Sequence, residues 1–406
     1  MAKYDEDEYY EERPRKKSSS GSKGSGKKSS GSKGSGKKSS GSKGSGKKSS
    51  GKKSSSKKQQ AKKQRRRIII FIIEIIILLV AVFVLYGIMT ATKSGKVDLD
   101  EEKIIINSTV KEAQETTMRG YRNIALFGVD STSGALTKNT RSDTIMIASI
   151  NLDTGECKLV SVYRDTYLNL SNDSYNKCNA AYAKGGPEMA INMLNMNLDM
   201  NITDFVTVGF AGLTDTIDAL GGVYIDVDDA EISHLNNYQL CIAEDLKRSY
   251  TPVSSTGYQL LDGLQATGYC RIRYTAGDDF KRAERQREVL SAVADQAKKA
   301  SVPKLTETAT AVFDETYTSL DLNEIIEMLG YVNTYYISET AGFPQESNRA
   351  TGTIGSKGSC VIPTNLEDNV KWLHQFLFND YDYEPSATVK ECSEHIYSDT
   401  NGYLNK

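Results

Sequence analysis

The chain has 406 residues, and its 51 basic and 52 acidic side chains nearly cancel to a formal charge of -1. That balance hides opposites: residues 1–67 hold 23 basic and 6 acidic side chains, and the remainder holds 28 and 46. Hydrophobic residues make up 38%, against about 45–50% in ordinary soluble domains, which excludes a compact cytosolic enzyme over the whole length and a protein of many membrane spans.

The first dozen residues are acidic and rich in tyrosine, and the decapeptide GSKGSGKKSS then repeats at 21–30, 31–40 and 41–50. The repeat has no apolar side chain to bury, so stacking its copies would gain nothing against the entropy of ordering them. Residues 1–67 are therefore expected to be a disordered, Gly/Ser-rich polycation. Two readings fit it: attraction to an anionic leaflet or to nucleic acid, at about 1 kcal/mol per Lys near lipid, or a solvated, topogenic tether. Its lack of any folded motif leaves no nucleic-acid partner expected.

From Ile68 to Met89 the chain runs IIIFIIEIIILLVAVFVLYGIM. At about 1.5 Å per residue it reaches roughly 33 Å, enough to cross a hydrocarbon core of about 30 Å. A transmembrane helix is expected over 68–90. Arg65, Arg66 and Arg67 precede it, so the N-terminus is expected in the cytoplasm and the remainder outside, on a single-pass anchor of the cell membrane. Glu74 inside the segment marks a helix–helix contact or is tolerated near the cytoplasmic end.

Residues 91–120 are polar and read as a stalk, 121–380 as one extracytoplasmic domain, and 381–406 as a C-terminal tail. Strands are expected at 123–129, 144–150, 158–163, 205–208 and 224–227, and helices at 188–198, 211–220, 260–268, 283–300 and 322–329. Strands alternating with helices predict an α/β domain with a mixed central sheet. The six cysteines (Cys157, Cys178, Cys241, Cys270, Cys360, Cys392) all follow the apolar segment, which suggests disulfides in an extracytoplasmic domain. Zinc is the rival, but no CxxC occurs and His234, His374 and His395 lie far apart.

Charged residues gather at strand ends in four places: Gly128-Val129-Asp130; Arg141-Ser142-Asp143-Thr144; Tyr163-Arg164-Asp165; and Arg271-Ile272-Arg273 followed by DDFKRAERQR at 278–287. In an extended segment Arg271 and Arg273 point the same way. Arg282 and Arg285 share one face near a helix N-terminus, with Gln286 beside them, where backbone N–H groups favour anions. Guanidinium forks match phosphate oxygens two at a time, and paired carboxylates suit Mg²⁺ bound together with phosphate. The pattern predicts a diphosphate site with a divalent metal; the alternative is that Arg and Asp merely pair with one another. No histidine adjoins these motifs and no G-x-x-x-x-G-K-[ST] occurs, which argues against a Ser-His-Asp hydrolase and a P-loop enzyme.

GVD, RSDT, SVYRD, KCNAAYAKGG, DALGG, GYQLLDG, YCRIR and DDFKRAERQR, in this order behind one apolar segment, resemble the LytR-CpsA-Psr family of bacterial cell-envelope proteins. The likeness is dense over about residues 121–300 and continues weakly to 358–378. In SVYRD, Tyr163 stands where that family commonly has proline. The resemblance implies an α-β-α sandwich with an apolar groove for a polyprenyl chain. It also implies transfer of an anionic glycopolymer, of the teichoic acid or capsular polysaccharide type, from an undecaprenyl-diphosphate carrier to peptidoglycan. It assigns Asp130 and Asp143 to Mg²⁺ (or Mn²⁺), and Arg141, Arg164, Arg271, Arg273, Arg282 and Lys177 to the diphosphate. Asp279 would be the carboxylate of a D-x-x-R motif, and Asp279 or Asp165 would accept the proton of the attacking hydroxyl. Hydrolysis of a polyprenyl diphosphate and a non-catalytic regulatory role are the alternatives.

Overall fold

The computed structural model describes residues 96–404, apart from 131–135, 138–139, 274 and 276. The tail expected at 1–67 and the span expected at 68–90 lie outside them; no described helix is long and apolar enough to cross a membrane. After a short helix α1 (Ser108–Ala113), the strands β1 (Tyr121–Val129), β2 (Ser142–Asn151) and β3 (Glu156–Val162) form an antiparallel meander. A small hairpin of β4 (Tyr167–Asn169) and β5 (Tyr175–Lys177) leads into α2 (Asn179–Leu198), β6 (Asp204–Val208) and α3 (Phe210–Ala219). Next come β7 (Val223–Val227), α4 (Asp229–Leu246), β8 (Gly257–Leu261), α5 (Gly263–Tyr269) and the long α6 (Asp278–Lys299). The C-terminal third holds α7 (Val302–Val312), β9 (Thr316–Thr318), α8 (Leu322–Gly330), β10 (Tyr336–Phe343), β11 (Arg349–Thr353), β12 (Ser359–Pro363), α9 (Leu366–Phe378) and α10 (Ala387–Leu404).

The main sheet has the order β10-β3-β2-β1-β6-β9. β6 joins β1 in parallel and β10 joins β3 in parallel, so the sheet is mixed, as expected. Side chains alternate between its faces with the period of two that a strand imposes. Ala125, Phe127, Ile145, Ile147, Val160 and Val162 enter the main core, which α2, α9 and α10 cover with Ile191, Leu194, Leu373 and Val389. Leu126, Ala148, Ile150 and Leu159 face the other way, onto Leu290 of α6. Helices therefore cover both faces of the sheet.

Four expectations change. The segment read as a stalk folds onto the body: Val110, Ala113 and Met118 are core residues, and Ile105 N–H donates to Asn192 Oδ1 at 2.8 Å. The segment read as a tail contains α10, whose Val389, Cys392 and Ile396 are buried in the same core. The helix expected at 260–268 begins later, because Leu260 and Leu261 pair with Tyr224 and Val223 in the β7–β8 hairpin. Asp262 caps α5 by accepting from Gln265 N–H at 2.8 Å, with Gln265 reciprocating, which sets the boundary. Finally, all six cysteines are free thiols. Cys157 and Cys270 sit in separate clusters, Cys178, Cys360 and Cys392 belong to the main core, and Cys241 is exposed.

Candidate active site

The sheet register delivers the charged motifs to one edge. Val129 pairs with Ser142, so Asp130, just past β1, and Arg141, just before β2, flank the same rung. The register slips between Gly128 and Val129: Gly128 faces Thr144 and Val129 faces Ser142, leaving Asp143 as the extra residue of a bulge. Bulges re-aim side chains in this way beside functional sites. β3 ends at Val162 on the same edge, because β2 and β3 are antiparallel with Met146 opposite Ser161, and it hands over to Tyr163, Arg164 and Asp165. The N-terminus of α6 brings Asp279 and Arg282 to the same place.

There the groups close on one another. Asp143 accepts from Arg164 Nη1 at 2.8 Å and from Arg273 Nη2 at 3.1 Å. Asp279 lies 3.5 Å from Arg164, 3.7 Å from Arg273 and 2.9 Å from Arg282. Asp165 lies 3.6 Å from Arg164 and 3.2 Å from Lys177. Four cations thus face three carboxylates. The space left among them, lined also by Ser161, Gln286 and Val361, is about 20 Å³, room for roughly one water molecule.

The pairing is incomplete where it is most buried. Arg282 Nε is buried without a hydrogen bond; Arg282 Nη1 and Asp279 Oδ1 meet each other at 2.9 Å, and Arg164 Nε lies 3.6 Å from Asp165, ion pairs without an aligned hydrogen bond. Burial, together with the like charges of Arg164 and Arg273, pushes the Arg282 guanidinium down to about 10. Burial also opposes ionisation of Asp143 and Asp279, yet the surrounding arginines outweigh it and hold both below the usual carboxylate range. Arg164 moves the other way: burial works against its charge, but Asp143, Asp279 and Asp165 raise it above the ordinary guanidinium value. A buried, over-supplied set of N–H donors with unused capacity is chemically a receptor for an oxyanion.

Not every candidate joins the cluster. Arg271 does not point with Arg273, because the segment is a turn closing α5, not a strand: Arg271 N–H bonds Gly268 O and Ile272 N–H bonds Tyr269 O. The Arg271 guanidinium lies over Phe210 at 4.4 Å and Tyr238 at 5.2 Å. Arg285 is almost fully buried and bonds Glu231 Oε1 at 2.7 Å, Ile272 O at 3.2 Å and Thr275 Oγ1 at 2.7 Å. It is a strut behind the site and not a diphosphate ligand. Gln286 lines the pocket and donates to Cys270 O at 3.4 Å. Asp130 and Arg141 are exposed and make no ion pair among the described residues.

No group of three or more His, Cys, Asp or Glu able to hold a metal exists among the described residues. A site of one or two carboxylates completed by phosphate oxygens and water, which suits Mg²⁺, needs no such group. Asp130 and Asp143 are carboxylates on neighbouring strand ends, the residue type such a site takes, and both oxygens of Asp143 accept from Arg164 and Arg273.

A second, larger cleft of about 530 Å³ adjoins the cluster, and Tyr163 lines both. Its walls include Phe280 and Arg287, which lie in the DDFKRAERQR motif without a role read for either, and Arg349 and Trp372, to which the sequence assigned none. Arg349 and Trp372 lie about two hundred residues beyond Tyr163 and carry no local pattern that links them to it.

A profile described as the LytR_cpsA_psr family matches residues 81–359. The chain is 28% identical to biofilm regulatory protein A of Streptococcus mutans, over 66% of this chain and 72% of that protein. It is 31% identical to the polyisoprenyl-teichoic acid–peptidoglycan teichoic acid transferase TagU of Enterococcus faecalis, over 50% of this chain and 63% of TagU, so the match spans less than two thirds of that relative. Among solved structures, YwtF (TagT) of Bacillus subtilis with bound octaprenyl pyrophosphate lipid superposes with a TM-score of 0.50 at 22% identity, over 70% of this chain and 99% of that one.

Proposed function

Since residues 81–359 make this chain a member of the LytR-CpsA-Psr family, we propose that it transfers an anionic glycopolymer from a polyprenyl-diphosphate carrier to peptidoglycan. The observation that carries this reading is the cluster of Arg164, Arg273 and Arg282 on one buried edge around Asp143 and Asp279, with Arg282 Nε left without a hydrogen bond. TagU, a relative, is named for the same transfer from a polyisoprenyl carrier to peptidoglycan.

In this reading the diphosphate displaces carboxylate contacts to Arg164 and Arg282 and takes up Arg282 Nε, which has no hydrogen bond. The acceptor hydroxyl attacks the phosphorus nearest the sugar. A new P–O bond forms, the bridging P–O bond breaks, and polyprenyl phosphate leaves. Asp165 or Asp279, both of which line the pocket, receives the hydroxyl proton. Arg164, Arg273 and Arg282 stabilise the charge that builds on the phosphoryl and leaving oxygens, which is the main demand of phosphoryl transfer. Asp130 and Asp143 would hold Mg²⁺, which when bound adds further neutralisation of phosphate charge. The 22-residue apolar segment behind three arginines supports a single-pass anchor with this domain outside the membrane.

Arg282→Met tests the reading. With a lipid-linked teichoic acid precursor and peptidoglycan, transfer is expected to fall about 10²–10³-fold. Asp279 loses its 2.9 Å partner in the same variant, so its melting curve is recorded beside the rate to show that the fold is kept. Transfer at the normal rate by this variant would overturn the proposal.

A further inference from the structure

We propose that the 530 Å³ cleft beside the guanidinium cluster is the acceptor subsite, built for an amino-sugar glycan that carries carboxylates. The assignment rests on the transfer reading above and says where its second substrate sits. A transfer needs two substrates meeting at one phosphorus, and this cleft shares Tyr163 with the pocket that holds the arginines. Its aromatic wall is rigid: Tyr163 and Phe280 meet edge to face at 4.6 Å. Arg349 lies 4.0 Å from the Phe280 ring and donates to Tyr163 Oη at 3.1 Å. Trp372 forms another side, stacked on Phe376 at 5.6 Å. Aromatic faces interleaved with charged and amide side chains suit sugars, which present C–H faces and hydroxyl edges together.

Arg287 makes the cleft more than a generic groove. It lines the cleft at 8% exposure, bonds Thr340 Oγ1 through Nε at 3.3 Å, and leaves Nη1 buried without a partner. Two acids line the cleft as well, Glu284, which Lys281 meets at 3.0 Å, and Glu346, against the three cations Lys281, Arg287 and Arg349. An unpaired buried guanidinium N–H is costly, and a carboxylate on the glycan supplies the acceptor it lacks.

The chain has a single tryptophan, Trp372, so its emission reports on this cleft alone. The full-length protein in detergent is titrated with a lipid-free tetrasaccharide of alternating N-acetylglucosamine and N-acetylmuramic acid, followed by Trp372 emission and calorimetry. Saturable binding is expected, weakened about tenfold or more by Arg287→Gln or Arg349→Ala, and by using chitotetraose, which lacks carboxylates. Geranylgeranyl diphosphate is titrated in parallel and is expected to bind all three proteins equally. Absence of tetrasaccharide binding by both methods, or its displacement by a prenyl diphosphate bearing one N-acetylated sugar, overturns the assignment, the latter giving the cleft to the donor. Loss of diphosphate binding with tetrasaccharide binding intact instead refutes the transfer reading and leaves the glycan site standing.

Discussion

Asp143 and Asp279 feel two opposed influences, burial that favours the neutral acid and three guanidinium groups that favour the carboxylate, and the guanidinium groups win. Their folded pKa values lie below the unfolded value of about 3.9. The stability they contribute is thus complete above that value and is lost as the pH falls through the lower, folded one. Thermal melts between pH 7 and 2.5 are expected to show Tm falling steeply below about pH 4. Asp143→Asn should have a lower Tm at pH 7, because Arg164 and Arg273 lose a partner, and a shallower acid decline. An unchanged acid limb in that variant would mean the cluster is not ionised as described. At this scale the sequence was informative. Asp143, Arg164, Arg273, Asp279 and Arg282 stand in short polar runs just outside apolar strands or at a helix start, and such positions open onto a sheet edge. Arg271 and Arg285 look identical in sequence. What separates them is the turn at 268–273 and a carboxylate on a distant helix, Glu231, and neither has a local signature.

Among the elements, the connection between α5 and α6 sets the geometry of the site. It carries Arg273, and Arg285 ties it down through Ile272 O and Thr275 Oγ1 while Glu231 of α4 neutralises the buried charge. Removing either partner of such a buried pair typically costs about 3–5 kcal/mol, so the milder probe is Thr275→Val, which deletes one hydrogen bond worth about 1.5–3 kcal/mol at most. The variant is expected to stay folded, with a Tm lowered by a few degrees, while its affinity for geranylgeranyl diphosphate drops several-fold because Arg273 is no longer held. Equal affinity in variant and parent would show that the strut does not position Arg273. The helix and strand periods of 3.6 and two located most elements, but the capping box at Asp262 outranked the apolar run at Leu260 and Leu261 and turned an expected helix start into a strand end.

Across the whole molecule, both ends of the described chain belong to the body. Val110, Ala113 and Met118 from one end, and Val389, Cys392 and Ile396 from the other, fill the core under the same sheet. Composition gave no hint of this, because polar surfaces dominate both segments and only a few apolar positions in each face inward. Ending the chain at Ser386 strips three fully packed side chains from that core. Since large-to-small changes at such sites cost about 2–5 kcal/mol each, the truncated protein is expected to unfold cooperatively at a much lower temperature or to accumulate only as aggregate; a parental melting curve would show α10 to be dispensable. The six free thiols carry a different implication. Burial pushes Cys157 and Cys270 up to about 12 and Cys360 up to about 11, so the reactive thiolate is scarce at neutral pH. Alkylation of the folded domain should therefore spare these three sulfurs and reach the exposed Cys241 first.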